Sequence, residues 1–529
     1  MFRRLARTGA TASVLVGALL PAPAGGSAAA GRSNPRPQTI PALRAWQGGR
    51  GHLRLSPASR VVVPARWWPR LRPTALLFGN ELRRVTGLRV QVAGKGRGGA
   101  GDVVLALGAA DRRLGSDGYR LRIGRGVSIT ARRSAGIFYG TRTLLQLLHE
   151  GRAVPRGRAA DWPRYPERGL MIDLGRRVYP AGWIETEIRE LAYLKMNVLH
   201  LHLTDDQRWG IQSGTHPELA SPGALSKREV RRILAVAGRY HVTVVPEIDM
   251  PAHVGALLAR HPDLELKAAS AASRPKTADS RKLDISTPAA LTTVRQLLDE
   301  YLPLFPGPYW DVGGDEYLTP AEEPLYPQLL AYARAHYGPS ATVKDAILGF
   351  FNWVDRIVRA HRKTLWAWHD ELGGGTALTA DPDIQASWWI DFSPLSEPRP
   401  PTPEQLTAAG HDVLNDGWFP TYYTEDLGPI QGKPSMQKAY ETWAVNRFCG
   451  PTENDQLLEP CYVLPPNHRH NLGSTINAWD DHELTLTQLR SGLAAPLMVL
   501  SQKTWDSPEL TASYGPFRLI MNRVGKAPR

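Results

Sequence analysis

Between residues 168 and 481 the chain alternates short apolar segments with amphipathic helical ones, and this rhythm restricts the available folds more than any other feature. Apolar stretches at 168–174, 197–206, 242–250, 309–316, 364–372, 384–390, 411–416 and 474–481 read as strands. Helical spacing recurs between them at 183–195, 227–240, 288–302, 343–362 and 484–499. Eight strands separated by helices predict a (β/α)8 TIM barrel over residues 166–529 rather than an open doubly wound sheet. Nearly every one of these strands ends in side chains capable of chemistry, and the carboxyl ends of barrel strands are where such sites are built.

The stretch Tyr309-Trp310-Asp311-Val312-Gly313-Gly314-Asp315-Glu316-Tyr317 is the most pointed case. A short apolar strand stops at two glycines, which permit close backbone approach to a ligand, and then presents adjacent carboxylates. Alone, Asp315 and Glu316 would read as the first turn of the next helix, where negative charge favours the dipole. Other strand ends repeat the theme: His200 and His202 lead into Thr204-Asp205-Asp206, and the end of the third strand delivers Glu247, Asp249 and then His253. His200 and His202 alone would suit a core or a metal site. Trp366, Trp368, Trp388, Trp389, Trp418 and Trp479, with Tyr422 and Tyr423, lie on or just past the later strands. Flat indoles between carboxylates suit a sugar ring, whose C–H faces they cover while acids and Arg bind its hydroxyls.

Residues 40–150 have a different character. A strand at 60–63, a helix at 75–85 closed by Gly87, a strand at 102–107, a hairpin at 118–131 and a helix at 135–148 predict a small α+β domain without clustered catalytic side chains. A Pro/Arg-rich connector at 154–166 follows it, and a flexible leader at 31–39 precedes it. Residues 1–30 combine a basic start, an apolar run from Ala10 to Leu20 and small residues at 22–30, the three-part pattern of a secretory signal peptide. The run is too short for a membrane span, and no later segment qualifies. Cys449 and Cys461 are the only cysteines, and in an exported chain they predict a local disulfide. The formal charge of +14 over 529 residues is largely Arg scattered singly, which argues against nucleic acid as a partner and leaves weak attraction to anionic polymers. Residues 264–283 read as a solvated insertion, and 418–466 as a segment shaping one side of a pocket.

In order and spacing, several pieces together resemble the β-N-acetylhexosaminidases of glycoside hydrolase family 20 over nearly the whole chain after residue 30. These are Gly136 to Leu144, Arg168 to Asp173, Lys195-Met196-Asn197 with His200 to Gln207, Glu247 to His253, and Gly313-Gly314-Asp315-Glu316. The resemblance implies exo-acting removal of terminal β-linked N-acetylhexosamine, GlcNAc or GalNAc, from oligosaccharides or glycoconjugates. It implies a retaining mechanism in which the substrate's own acetamide oxygen attacks the anomeric carbon to give an oxazolinium, an exception to the two-carboxylate scheme. Glu316 matches the general acid/base, and Asp315 the residue that orients the acetamide N–H. Arg168 is expected to bind hydroxyls, Asp205, Asp249 and His253 to support Glu316, and Trp368, Trp388 and Trp479 to wall the ring. Tyr423 is expected to bond the acetamide carbonyl, with Tyr422 as the alternative alignment. No metal or organic cofactor is implied.

Three positions depart from the family pattern. Asp311 stands where His is usual, Glu425 where a shorter acid is expected after the pocket Tyr, and Asp481 where Glu is expected after the last Trp. These exchanges predict a reshaped terminal-sugar subsite, with altered tolerance at the 4- and 6-hydroxyls or release of a disaccharide, as the family's lacto-N-biosidases do. A catalytically silent glycan-binding relative is the alternative from another class.

Overall fold

The computed structural model describes residues 32–149, 151–269, 281–391, 399–424, 433–453, 456–480 and 484–528. The signal segment at 1–30, Glu425 and Asp481 lie outside the described residues.

The first domain is a seven-stranded mixed sheet covered on one face by two helices. Its strands are β1 (Ala45–Arg54), β2 (Arg60–Val62), β3 (Gln91–Ala93), β4 (Val103–Leu107), β5 (Tyr119–Ile123), β6 (Val127–Ala131) and β7 (Ala153–Asp161), in the order β1-β7-β5-β6-β4-β2-β3. Alternation decides which face is covered: Tyr119, Leu121, Ile123, Val127 and Ile129 are buried, while Arg120 and Arg122 point to solvent. The helices are α1 (Trp68–Thr86), stopped by Gly87 at φ 71°, and α2 (Ser134–Leu148).

Two boundaries differ from the sequence expectation. The stretch read as a connector is β7, which pairs antiparallel with both β1 and β5, so the domain runs on to Asp161. Strand β1, AWQGGRGHLR, has no apolar alternation of its own and exists through its ladder to β7. The leader is also tied down: Asn34 donates from its backbone to Gly49 O and from its side chain to Gly51 O, and Thr39 is buried.

The second domain is a closed parallel barrel. Its strands are β8 (Glu167–Asp173), β9 (Val198–His202), β10 (Thr243–Glu247), β11 (Tyr309–Asp311), β12 (Thr364–Trp368), β13 (Gln385–Trp388), β14 (Val413–Asn415) and, after a two-residue strand β15 (Tyr422–Tyr423), β16 (Asn471–Ala478). β14 pairs with β16 and β16 with β8, closing the ring. All eight expected strands occur, in order. Helices pack outside: α3 (Ala181–Tyr193), α4 (Lys227–Arg239), started by a Ser226/Glu229 capping box, α5 (Pro288–Tyr301), α6 (Val343–Ala360), started by Thr342 and Asp345, and α7 (Leu486–Trp505).

A buried polar cluster joins the two domains. Asp161 at the end of β7 accepts from Lys195 Nζ at 2.9 Å, Tyr119 Oη at 2.6 Å, Trp505 Nε1 at 2.9 Å and the Arg44 backbone at 2.9 Å. Lys195 and Asp161 are both fully buried. Such a pair holds because each remaining polar atom has a partner. Cys449 and Cys461 are bonded to each other in the loop between β15 and β16, at an S–S distance of 2.06 Å.

Candidate active site

The candidate site is a cavity of about 190 Å³ at the carboxyl end of the barrel, lined by Arg176, Asp205, Asp249, His253, Asp315, Glu316, Trp389, Trp418, Tyr422, Thr424 and Trp479. Its centre is the turn after β11. Gly313 and Gly314 have φ of 66° and 92°, and a side chain at Gly313 would begin about 2.0 Å from Asp249 Oδ1. Only glycine fits there, and the space is used: Gly314 N donates to Asp249 Oδ1 at 2.9 Å. Glu316 itself has φ 54°, unusual for a residue with a side chain, and its backbone N–H is fastened to Asp370 Oδ2 at 2.9 Å. Asp370 in turn accepts from Trp389 Nε1 at 3.0 Å.

His253 Nε2 lies 3.4 Å from Glu316 Oε2 and 3.7 Å from Asp315 Oδ2, and its Nδ1 is 3.5 Å from Asp205 Oδ1. Asp205 also meets Arg176 Nη2 at 2.8 Å and His202 Nε2 at 3.0 Å. Burial pushes the His253 imidazolium down, but Asp315, Asp205 and Glu316 outweigh it and hold its pKa well above the usual 6.5. Burial pushes the Glu316 carboxyl up, yet the His253 imidazole beside it, with Arg176, brings it below the usual glutamate value. Asp315 is raised well above 3.8, chiefly by burial, against the attraction of His253. Asp249 is raised by burial and by the neighbouring Asp315 carboxylate.

The aromatic wall is a near-parallel set. Tyr422 stacks on Trp418 at 4.8 Å and on Trp389 at 5.9 Å, and Arg176 lies over the Trp479 ring at 5.1 Å. Burial, with the nearby Asp315 carboxylate, raises the Tyr422 hydroxyl well above its usual pKa, so it stays a proton donor.

Beneath the pocket runs a fully buried chain of acids and imidazoles. Asp311 Oδ2 is 3.3 Å from His200 Nε2, which is 2.9 Å from Glu247 Oε2; the same oxygen is 2.8 Å from His202 Nδ1, whose ring reaches Asp205. Burial raises Asp311 to about 7, helped by the Glu247 charge and opposed by His200. Asp311 therefore does not face the sugar subsite as its position in the motif suggested. It sits one layer below and accepts from Gly313 N at 2.8 Å.

Four further expectations change. Arg168 is at the start of β8, about 16 Å of strand from its carboxyl end, and cannot reach the pocket. It is locked into the domain junction by the carbonyls of Tyr165, Pro166 and Lys195 and by Asp117 Oδ2 at 2.7 Å. The pocket arginine is Arg176, three residues beyond β8, which also bonds Asp173 at 2.9 Å. Tyr423 faces away, its hydroxyl against Gly492 of α7, so the pocket tyrosine is Tyr422, the alternative alignment. Trp388 is buried behind the wall against Phe448 and Tyr462, and Trp368 supports it from below by donating to Glu247 Oε1 at 3.0 Å. Adjacent indoles at 388 and 389 point to opposite sides, so Trp389 faces the pocket. Asp370 and Arg176 were legible only as polar residues just past a strand end.

The catalytic-domain profile of glycosyl hydrolase family 20 matches residues 165–507, and the profile of that family's domain 2 matches residues 36–162. The chain belongs to glycosyl hydrolase family 20. Among curated proteins it is 26% identical over 507 residues to a lacto-N-biosidase of Bifidobacterium bifidum, covering 95% of this chain and 43% of that protein. It is 27% identical over 464 residues to a β-hexosaminidase of Porphyromonas gingivalis, covering 82% of this chain and 56% of that one. The chain thus spans about half the length of the curated relatives it matches. The β-N-acetylhexosaminidase of Streptomyces coelicolor superposes with a TM-score of 0.72 at 25% identity, covering 93% of this chain and 95% of that one.

Proposed function

We propose that the protein is an exo-acting β-N-acetylhexosaminidase that releases a terminal N-acetylhexosamine through an oxazolinium intermediate. The observation that carries this reading is the pairing of Glu316, backed by His253 and Asp205, with an adjacent buried Asp315 in one small aromatic-walled pocket. Glu316 would protonate the departing oxygen and later deprotonate water. Asp315 would orient the acetamide N–H and stabilise its developing positive charge. Tyr422 would donate to the acetamide oxygen, and Arg176 to a ring hydroxyl. A Streptomyces plicatus β-hexosaminidase, 25% identical and solved with GlcNAc as product, supports the choice of sugar.

Release of a disaccharide is the second reading, favoured by the lacto-N-biosidase relative that matches 95% of the chain. Turnover of the nitrophenyl glycosides of N-acetylglucosamine, N-acetylgalactosamine and lacto-N-biose separates the two. Activity on a monosaccharide with none on the disaccharide supports the first; the converse supports the second; no turnover of any leaves a glycan-binding role. A thiazoline analogue of the oxazolinium should inhibit competitively, and failure to bind would count against substrate assistance. Export is proposed from the pattern of residues 1–30, and amino-terminal sequencing of protein recovered from culture medium tests it.

The pair of Glu316 and His253 sets the expected pH dependence. One proton is shared between them, held by His253 in the free site and needed on Glu316 during bond cleavage, and it is lost only as pH rises through the elevated imidazole value. In His253→Gln the proton is held by Glu316 alone. The alkaline limb of kcat/KM should therefore move to lower pH, and an unmoved limb would remove His253 from the proton inventory.

A further inference from the structure

The positive charge of the chain is not spread evenly. Residues 36–162 contain 24 basic and six acidic residues, a net +18, whereas residues 163–529 contain 36 basic and 44 acidic residues, a net −8. Residues that are single along the sequence are thus gathered on the first domain. Its acids are already engaged among the described residues: Glu81 is buried with Arg142, Asp161 with Lys195, Asp117 with Arg168, Asp102 with Arg60, and Asp111 with Arg113 and Arg120. The sixth, Glu150, lies outside them.

The uncovered face of the sheet concentrates this charge. α1 and α2 cover one face, so the alternate residues of β5 and β7 stand on the other. Arg122 lies directly opposite Arg158, with Gln47 beyond it on β1 and Ser128 on β6; Arg120 is one step along, opposite Ala160 and Thr130. Arg120, Arg122 and Arg158 are exposed, and Arg125 sits at the β5–β6 turn at the end of the same rows. Like charges directly opposite on neighbouring strands are destabilising. Among the described residues neither Arg122 nor Arg158 forms an ion pair, and Arg158 donates only to Gln47 Oε1, at 2.6 Å. The small Ser128, Thr130, Ala106 and Ala160 between them keep the face flat and open.

We propose that this sheet face binds an anionic polysaccharide carrying carboxylate or sulfate groups, holding the barrel on the polymer whose chain ends it trims. The trimming half of this proposal rests on the hexosaminidase reading; the binding half does not. A polysaccharide is favoured over single-stranded nucleic acid because, among the described residues of these rows, the aromatic ring is the half-buried Trp162 at the end of the β7 row, already covered by Arg44 and Arg113, so no open ring is left on which bases could stack. It is favoured over a membrane because, of the exposed large apolar side chains among the described residues, only Leu76 belongs to this domain and it lies on α1.

Heparin, as the sulfated probe, and hyaluronan, as the carboxylate probe, test this by affinity measurement at low ionic strength beside neutral dextran. The wild type should bind at least one of the two anionic polymers and not dextran, with affinity falling steeply as salt is added. Arg120→Thr/Arg122→Thr/Arg158→Thr should weaken binding by about tenfold or more. It should leave kcat/KM on a small neutral nitrophenyl glycoside unchanged. Arg228→Ala/Arg231→Ala/Arg334→Ala removes the same charge from exposed barrel helices and should bind as the wild type does. Equal weakening in both variants, unchanged binding in the first, or tighter binding to single-stranded DNA or to phosphatidylglycerol vesicles than to either polysaccharide would each overturn the proposal. Binding without turnover would sustain the surface and reject the hexosaminidase reading.

Discussion

Glu316→Gln is expected to lower kcat by about 10²–10⁴-fold on substrates whose leaving group is another sugar. The amide keeps the size of the side chain and its place beside His253, so the change removes the transferable proton and little else. Its effect should shrink on aryl glycosides with acidic phenol leaving groups, because such oxygens depart with little help from protonation. That dependence on the leaving group distinguishes a lost general acid from a disturbed pocket, which would depress all substrates alike. Equal kcat for wild type and variant on chitobiose would remove Glu316 from the role of acid. The backbone of Glu316 fixes where its side chain begins: at φ 54° its N–H is held by Asp370 Oδ2 at 2.9 Å, and the substitution leaves that anchor in place.

Asp161→Ala is expected to destabilise the protein by about 3–5 kcal/mol, the usual consequence of leaving one member of a buried ion pair alone. Lys195, Tyr119 and the Trp505 indole would all lose their shared acceptor. Because these groups come from both domains, the loss should appear as earlier unfolding of the whole chain in a denaturant titration. Asp161→Leu with Lys195→Met removes both charges and should recover much of the loss, whereas either change alone should not. Unfolding of Asp161→Ala at the wild-type midpoint would show that the junction contributes nothing to stability.

Much of this architecture was legible in the residues. The eight barrel strands are read from buried apolar runs, because a parallel sheet covered on both faces needs them, and β8, ERGLMID, is buried along its whole length. The glycine pair and the acids after β11 were equally visible, because their chemistry is local. β1 and β7 were not: their sequences carry no alternation, and what makes them strands is the partner each finds. The misplaced arginine has a different origin. Arg168 stands at the start of β8 and Arg176 just past its end: the expectation at Arg168 followed the family motif, whereas the position of sites at the carboxyl ends of barrel strands agrees with Arg176.

By itself, then, the sequence determined the barrel, the catalytic-type pair Asp315 and Glu316, and the aromatic supply for a wall, since each follows from periodicity or from residue type at a strand end. The tertiary structure alone decided which aromatics face the cavity, that Asp311 supports from beneath rather than lining it, that Arg176 stands in for Arg168, and that single arginines assemble into one charged sheet face. These are questions of direction and of distance across the chain. They are settled by closure of the barrel and by pairing of strands far apart in sequence, which no local pattern encodes.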